Sequence, residues 1–252
     1  DTELNFSFQE RSAYVGNSKI ENIDTAENII LLGVNPRVEA SVVNARIRKA
    51  WLTGSQVFRL GKPDPLNYSV NEIGENLSQL QNFLEKSNSK SSFWKKTIII
   101  LGYGFLESRS INSAFAAIRW IVENKKAQLL FLHPNASSVG ALELGFGRVL
   151  NQKELIQESN VIYKIGADNI TVPPEKYVIY QGSHGDKGAS TADLILPSAC
   201  YLEEDGLFVN TEGRVQYSKK AIHPPGDAKD NWRILRAFLS ECNCDVSWNS
   251  LG

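Results

Sequence analysis

Short apolar runs recur along this chain, separated by glycine or proline turns and by amphipathic stretches. Thr97–Gly102 (TIIILG) is rich in β-branched residues and apolar on both faces, which is typical of strands in parallel sheets covered on both sides. Similar runs predict further strands at Asn28–Gly33, Gln56–Gly61, Gln128–His133, Val161–Gly166, Tyr177–Gly182 and Ala192–Pro197. The pattern therefore indicates a series of short buried strands.

The stretches between these runs have helical spacing. Ile111–Lys125 places its apolar residues along one stripe and predicts a helix. Further helices are predicted at Arg37–Thr53, Asn71–Lys86 and Gln152–Ser159. A polar loop is expected at Ser87–Ser92. Alternating strands and helices predict an α/β fold, a doubly wound and mostly parallel sheet flanked by helices, and we expect one domain over residues 1–252.

The pattern changes after Pro197. Phe208–Tyr217 has two short runs around Thr211-Glu212-Gly213, which predicts a β-hairpin. A C-terminal helix follows, for which Asp227 is the expected N-cap. Its buried stripe is expected to contain Ala228, Trp232, Leu235 and Leu239.

The balance of positive and negative charges argues against a nucleic-acid-binding protein. Lys and Arg total 27 against 28 Asp and Glu, so the chain lacks the basic excess of a nucleic-acid binder. No run approaches the roughly 20 apolar residues of a membrane span. The basic clusters Arg46–Lys49 and Lys95-Lys96 indicate solvated faces or, alternatively, a docking surface. The chain starts at Asp1 and contains no Met, so we expect that processing or truncation removed its start; the opening segment has no signal- or transit-peptide pattern.

Cysteine usage argues against disulfides and metal. The chain has three cysteines, Cys200, Cys242 and Cys244, which are too few and too clustered for a disulfide framework and indicate a reducing compartment. Cys242-Asn243-Cys244 lacks further ligands at workable spacing, because the histidines lie far from it in sequence. We expect no metal site in this chain.

Glycines stand at the carboxyl ends of the predicted strands, where ligands bind in open α/β sheets. They include Gly33, Gly61, Gly102, Gly166 and the run Gly182–Gly188 (GSHGDKG). Two interpretations of these glycines stay open. They are a vestige of nucleotide binding, or they only allow the chain to turn sharply at the strand ends. The pair Gly102-x-Gly104 fails as a dinucleotide fingerprint, because Glu107 occupies the third glycine position. Lys187 lacks the spacing of a phosphate-binding loop.

His184 and Asp186 suggest acid–base chemistry, and Cys200 suggests a nucleophile. The hydroxyls near His184 belong to no nucleophile-elbow motif, so a hydrogen-bonding or packing role is favoured for this histidine. No basic residue lies close to Cys200 in sequence, so a buried structural cysteine is the favoured interpretation.

Two long motifs carry a family resemblance. Gly33–Leu52 (GVNPRVEASVVNARIRKAWL) and Tyr180–Gln216 (YQGSHGDKGASTADLILPSACYLEEDGLFVNTEGRVQ) resemble the large iron–sulfur (75 kDa) subunit family of respiratory complex I. The end of the second motif is similar to molybdopterin oxidoreductases more widely. Weaker matches between them, such as GALELGF, keep the order, so the resemblance covers nearly the whole chain.

The resemblance implies a part of a longer subunit. In this family an amino-terminal portion holds iron–sulfur clusters through cysteines, and a molybdopterin-enzyme-like domain follows that has lost its cofactor. This chain matches the later part of that domain, so the resemblance implies no catalytic, cofactor-binding or metal-binding residue here. Iron–sulfur clusters and FMN are expected elsewhere in the complex. Asn210, Glu212 and Arg214 are expected to hold the hairpin, with pterin contact as the alternative.

The expected function is that of a non-catalytic domain in the peripheral arm of NADH:ubiquinone oxidoreductase, on the matrix side of the mitochondrial inner membrane or the cytoplasmic face of a bacterial membrane. Its partners would be other peripheral-arm subunits and the amino-terminal iron–sulfur portion. Arg37, Arg46, Arg48 and an exposed Trp94 are the expected anchors. The rivals are the catalytic half of a molybdopterin oxidoreductase such as a formate dehydrogenase, and a nucleotide-binding module, which the failed fingerprint disfavours.

Overall fold

The computed structural model describes residues 10–88, 91–102, 105, 111–146, 152–244 and 246–248. The fold divides into two compact units, Asp1–Arg148 with Val209–Val215, and Val149–Phe208 with Gln216–Gly252. The single domain over residues 1–252 stays a prediction, and each unit is described by itself.

A five-stranded parallel sheet forms the centre of the first unit. Its strands are β1 (Asn28–Leu32), β2 (Gln56–Leu60), β3 (Asn71–Gly74), β4 (Thr97–Leu101) and β5 (Gln128–Phe131), in the order β3-β2-β1-β4-β5. In the register, Ile30 of β1 lies between Phe58 of β2 and Ile99 of β4. The strand order reverses at β1, so the point where β1 meets β4 is the topological switch point.

The helices of the first unit are α1 (Pro36–Glu39), α2 (Ser41–Leu52), α3 (Leu77–Asn88), α4 (Ser91–Lys95), α5 (Ile111–Lys125) and α6 (Ser138–Glu143). The boundaries of α5 coincide with the prediction. The predicted helix Arg37–Thr53 is interrupted at Ala40, whose φ of −151° and ψ of 72° are not helical. Asn35 caps α1 by accepting from the Arg37 amide at 3.2 Å.

Both faces of this sheet are covered, which confirms the doubly wound α/β prediction. Alternate residues of β1 enter two apolar clusters: Ile29 and Leu31 pack with residues of α2, whereas Ile30 and Leu32 pack with residues of α3, α4 and α5. All five residues of β1 are buried. This is the environment that continuous apolar strands require.

The predicted helix Asn71–Lys86 is wrong at its start, because residues 71–74 form β3. Arg59 of β2 lies opposite Glu72 of β3, and its Nε donates to Glu72 Oε2 at 3.1 Å. Pairing with the sheet edge decides the structure of this short polar segment. The loop predicted at Ser87–Ser92 is also wrong, since α3 extends to Asn88 and α4 begins at Ser91.

The expected exposure of Trp94 is wrong as well. Trp94 is 0% exposed and lies in the cluster between the sheet and α5. Its indole Nε1 donates to the Ser87 carbonyl at 3.1 Å, so the polar edge of the ring is satisfied inside the core. Trp94 therefore stabilises the first unit and is no surface anchor.

The second unit contains a three-stranded parallel sheet, in the order β6-β7-β8. Its elements are α7 (Gln152–Glu158), β6 (Val161–Ile165), β7 (Tyr177–Gly182), α8 (Lys187–Ser190), β8 (Leu194–Pro197) and α9 (Asn231–Glu241). The expected N-cap at Asp227 is wrong, because α9 begins after Asp230. Ala228 of the predicted stripe lies before α9, and the other three residues, Trp232, Leu235 and Leu239, are half-buried rather than buried.

The predicted hairpin is present as a two-stranded sheet of β9 (Gly206–Val209) and β10 (Val215–Ser218). Its turn closes through the Asn210 amide, which donates to the Arg214 carbonyl at 3.0 Å. None of the helices in the described part of the chain has the length and apolar character that a membrane crossing requires.

Candidate functional site

The carboxyl ends of β1 and β4 form the switch-point crevice, where open α/β sheets bind ligands. A Cβ atom on Gly33 would lie 2.3 Å from the Phe105 amide nitrogen, and one on Gly102 would lie 2.4 Å from Val34 Cβ. Phe105 and Val34 are both buried. The two glycines are therefore required by close packing of the chain against itself, which favours turn chemistry at these positions.

Gly33 and Phe105 lie together at this crevice. Gly33 has a φ of +57°, a conformation that glycine adopts without strain. The Phe105 amide donates to the Gly102 carbonyl at 3.2 Å. Gly104 and Glu107 lie outside the described residues.

The hairpin turn, residues 210–214 of the first unit, is held in place by side-chain hydrogen bonds. Glu212 Oε2 accepts from the Ile20 amide at 2.8 Å. Asn210 Oδ1 accepts from the Arg214 amide at 2.9 Å and from the Glu212 amide at 3.2 Å. Thr211 Oγ1 donates to the Phe131 carbonyl at the end of β5. Asn210 and Glu212 thus act as structural acceptors for backbone amides.

The loop after β7 carries His184 and Asp186, both of which are exposed. His184 Nδ1 shares a hydrogen bond with Ser183 Oγ at 2.9 Å. Asp186 precedes α8 and caps it with no side-chain hydrogen bond. In the described part of this loop, His184 and Asp186 form no hydrogen bond with each other. The arrangement therefore does not support direct proton transfer between them.

A buried polar cluster lies beneath this loop and was missed by sequence reasoning. Lys164 of β6 is 2% exposed, and its Nζ donates to Thr191 Oγ1 at 3.1 Å and to the Gly188 carbonyl at 3.3 Å. Its Nζ also lies 5.9 Å from the centre of the Tyr180 ring. The sequence did contain a signal for the burial of Lys164. Alternate residues of a strand lie on one face, so Lys164 shares a face of β6 with the apolar Ile162.

Asp168 completes this cluster. Its Oδ1 accepts from Tyr180 Oη at 3.0 Å and from the Gly188 amide at 2.9 Å. Burial raises the pKa of Tyr180, and the hydrogen bond and negative charge of Asp168 raise it further. Tyr180 therefore stays a neutral donor near neutral pH, and the cluster fixes the base of the loop.

Gln181 joins β7 to the start of α9. It is 0% exposed, and its Nε2 donates to Asn231 Oδ1 at 2.7 Å. Asn231 donates through its amide and its Nδ2 to the two carboxylate oxygens of Glu204, at 3.0 and 2.9 Å. These bonds replace the expected Asp227 cap as the contacts that locate α9.

The cysteines have ordinary structural surroundings. Cys200 is half-buried, so its expected burial is wrong, and its amide donates to Glu203 Oε2 at 3.0 Å. Cys242 and Cys244 are exposed on either side of Asn243, whose φ is +57°. The amides of Asn243 and Cys244 bond back to the Ser240 and Leu239 carbonyls at 3.0 and 2.9 Å, which is a Schellman cap of α9. The described residues contain no cluster of metal-ligating side chains.

The predicted basic anchors lie on or beside α1 and α2. Arg46 and Lys49 both bond to Asp24 Oδ2, at 2.9 and 3.3 Å. Burial raises the pKa of Asp24, but the hydrogen bonds from Lys49 and Arg46 outweigh it and hold the pKa below its usual value. Arg37 donates to the Pro65 carbonyl at 3.3 Å. Arg46 thus has an internal role, whereas Arg48 is exposed.

Comparison with known proteins identifies the class. The molybdopterin oxidoreductase family model matches residues 2–241, so the chain belongs to the molybdopterin oxidoreductase family. This agrees with the doubly wound parallel sheet of the first unit.

Within that family, the chain is similar to large subunits of complex I, which confirms the resemblance inferred from the two motifs. It is 38% identical over 256 residues to the mitochondrial NADH-ubiquinone oxidoreductase 78 kDa subunit of Candida albicans, covering 97% of this chain and 35% of that protein. It is 35% identical to the 75 kDa subunit of Reclinomonas americana, covering 95% of this chain and 37% of that protein. The chain thus spans about a third of the length of these relatives.

A solved structure shares the fold. A chain of the formyltransferase/hydrolase complex from Methylorubrum extorquens, solved with methylofuran, superposes with a TM-score of 0.61 at 13% identity. The match covers 92% of this chain and 80% of the other. At this identity the likeness concerns the fold alone.

The family name implies a pterin cofactor, and the switch-point crevice is where an open sheet would hold one. The described residues there leave no room for a group against the backbone of Gly33 and Gly102, because Phe105 packs directly on Gly33 and Val34 packs directly on Gly102.

Proposed function

We propose that this chain is a structural, cofactor-free domain in the peripheral arm of NADH:ubiquinone oxidoreductase. It supports electron transfer from NADH to quinone through assembly and stability, while FMN and iron–sulfur clusters are carried by other parts of the complex. The chain itself is non-catalytic. Its partners are other peripheral-arm subunits and the amino-terminal iron–sulfur portion, on the matrix side of the mitochondrial inner membrane.

The observation that carries the proposal is the packing of the switch-point crevice. Phe105 packs so closely on Gly33, and Val34 on Gly102, that neither glycine has room for even a Cβ atom. The similarity to the 75 and 78 kDa subunits supports the assignment to complex I, and the name of the Candida albicans relative supports a mitochondrial location. A fold inherited from an enzyme can persist as a scaffold after its site is lost.

Metal analysis of the purified complex tests the cofactor-free part. We expect the molybdenum and tungsten contents to be far below one atom per subunit. Flavin and iron should be present in stoichiometric amounts. The family match favours one competing function, the catalytic half of an active molybdopterin oxidoreductase such as a formate dehydrogenase. Stoichiometric molybdenum or tungsten would establish that alternative and refute ours.

A core substitution tests the structural part. Ile99 of β4 is 1% exposed, and Ile99→Ala should cost about 2–5 kcal/mol of stability. We expect less assembled complex on native gels and unchanged NADH oxidation per assembled complex. Lys62→Ala, at an exposed loop position of the same unit, is the control and should change neither quantity. Normal assembly with reduced turnover in Ile99→Ala would contradict a purely structural role.

A further inference from the structure

Helix α2 has two apolar faces. Its inner face buries Val43 and Ile47 against the sheet. On the outer side, Val42 is 73% exposed and Leu52 is 61% exposed. Ala45, also exposed, lies between them at helical spacing, three residues after Val42 and seven before Leu52.

The same outer face has a surplus of positive charge. Arg48 and Lys49 are exposed, and among the described residues Lys49 pairs with one carboxylate, that of Asp24, which it shares with Arg46. Within the part of the chain that the structure describes, the guanidinium of Arg48 has no ion pair or side-chain hydrogen bond. A surface that combines apolar residues with uncompensated cations is complementary to one that combines apolar residues with carboxylates.

We propose that this outer face of α2, defined by Val42, Ala45, Arg48, Lys49 and Leu52, binds an amphipathic helix of a neighbouring subunit whose apolar seam is flanked by Asp and Glu. The inference rests on the proposed function only in placing that neighbour in the peripheral arm. The small Ala45 lies on this face between the larger Val42 and Leu52, and the side-chain ridges of one helix pack into the grooves between side chains of another at axis distances of about 8–10 Å.

A helix fits this face better than a membrane does. A helix that lies in a bilayer surface presents its full apolar side, commonly with Trp and Phe, to the lipid. The larger apolar side of α2 is already buried against the sheet through Val43, Ile47 and Ala50. The strip that remains is about 15 Å long, the rise over ten residues, and suits about three turns of one partner helix.

Site-specific photo-crosslinking in the assembled complex tests the proposal. Val42→benzoylphenylalanine should give an adduct with one neighbouring subunit, mapped by mass spectrometry to a helix rich in Asp and Glu. Lys62→benzoylphenylalanine, outside α2, is the matched control and should not give that adduct. An adduct with lipid, with a second copy of this chain or with a basic segment would overturn the proposal, as would no adduct in a complex that contains the chain.

Charge reversal gives an independent measurement. Arg48→Glu should cause a roughly tenfold loss of chain retained by the complex at moderate salt, because it places a negative charge against the carboxylates of the partner helix. Arg48→Lys should retain the chain as the wild type does. Equal retention of the reversed and wild-type chains overturns the proposal. If the wild-type chain itself never co-migrates with the complex, the proposed function fails instead.

Discussion

The backbone amide of Ile20 donates to Glu212 Oε2 at 2.8 Å, across 192 residues of sequence. Glu212 lies in the hairpin turn, and Ile20 begins a short 3₁₀ segment (Ile20–Thr25) that packs beside α2. The bond joins the end of the family motif to the start of the first unit. It gives the polar residues of the turn a structural role.

Replacing Glu212 should therefore destabilise the first unit. Glu212→Ala leaves the Ile20 amide without its acceptor, at an expected cost of about 1–3 kcal/mol. Glu212→Gln keeps an acceptor oxygen and should lose less. Urea denaturation of the purified chain measures both changes in the free energy of unfolding. An equal loss in the two variants would show that the acceptor is not what matters.

Adding a methyl group in the switch-point crevice should be costly. In Gly102→Ala the new Cβ would lie 2.4 Å from Val34 Cβ and 2.6 Å from the Gly33 carbonyl oxygen. Overpacking of this kind costs about 1–3 kcal/mol. Gly185→Ala serves as the control, because no atom would lie within 4 Å of the Cβ added at this position. Comparable thermal midpoints for the two variants would contradict the packed crevice.

Acidification should weaken the first unit through His133. Burial lowers the pKa of His133, although its hydrogen bond to the Tyr14 carbonyl opposes this. The unfolded chain, with a pKa of about 6.5, takes up the proton before the folded one does. Stability is therefore full above about pH 6.5 and falls as the pH drops from there through the folded pKa.

His133→Gln should remove this part of the pH dependence. The free energy of unfolding measured at pH 7.5 and pH 5.5, by urea titration, should fall less in the variant than in the wild type. Other groups titrate equally in both proteins, so the difference between the two slopes isolates His133. A steeper loss in the variant would mean that the sign is wrong.

The buried Lys164 should tolerate loss of its charge better than loss of its side chain. Lys164→Ala should cost about 2–5 kcal/mol, the range for a large buried side chain cut to alanine. Lys164→Met keeps the apolar stem and loses the bonds to Gly188 and Thr191, for about 1–3 kcal/mol. Chemical denaturation measures the free energy of unfolding of both variants and shows which has lost more. Equal losses would mean that the stem contributes nothing to packing.

The candidate site was only partly accessible to sequence reasoning. The sequence located the strand-end glycines but left two interpretations of them open, and the expected role of Asn210 and Glu212 came from the family motif. The Lys164 cluster and the Gln181–Asn231 bond did not, because each joins residues whose proximity depends on strand register. Nothing local in the sequence marks such pairs.

The sequence by itself determined the parallel core and its covering helices. Continuous β-branched runs such as Thr97–Leu101 are stable as strands only when both faces are buried. The apolar stripe of Ile111–Lys125 needs an apolar surface, here the sheet, to pack against. Tertiary structure decided the rest. Residues 71–74 became a strand because β2 offered a free edge, and Trp94 became core because α4 faces the sheet. Both outcomes depend on neighbours distant in sequence, which local propensity does not encode.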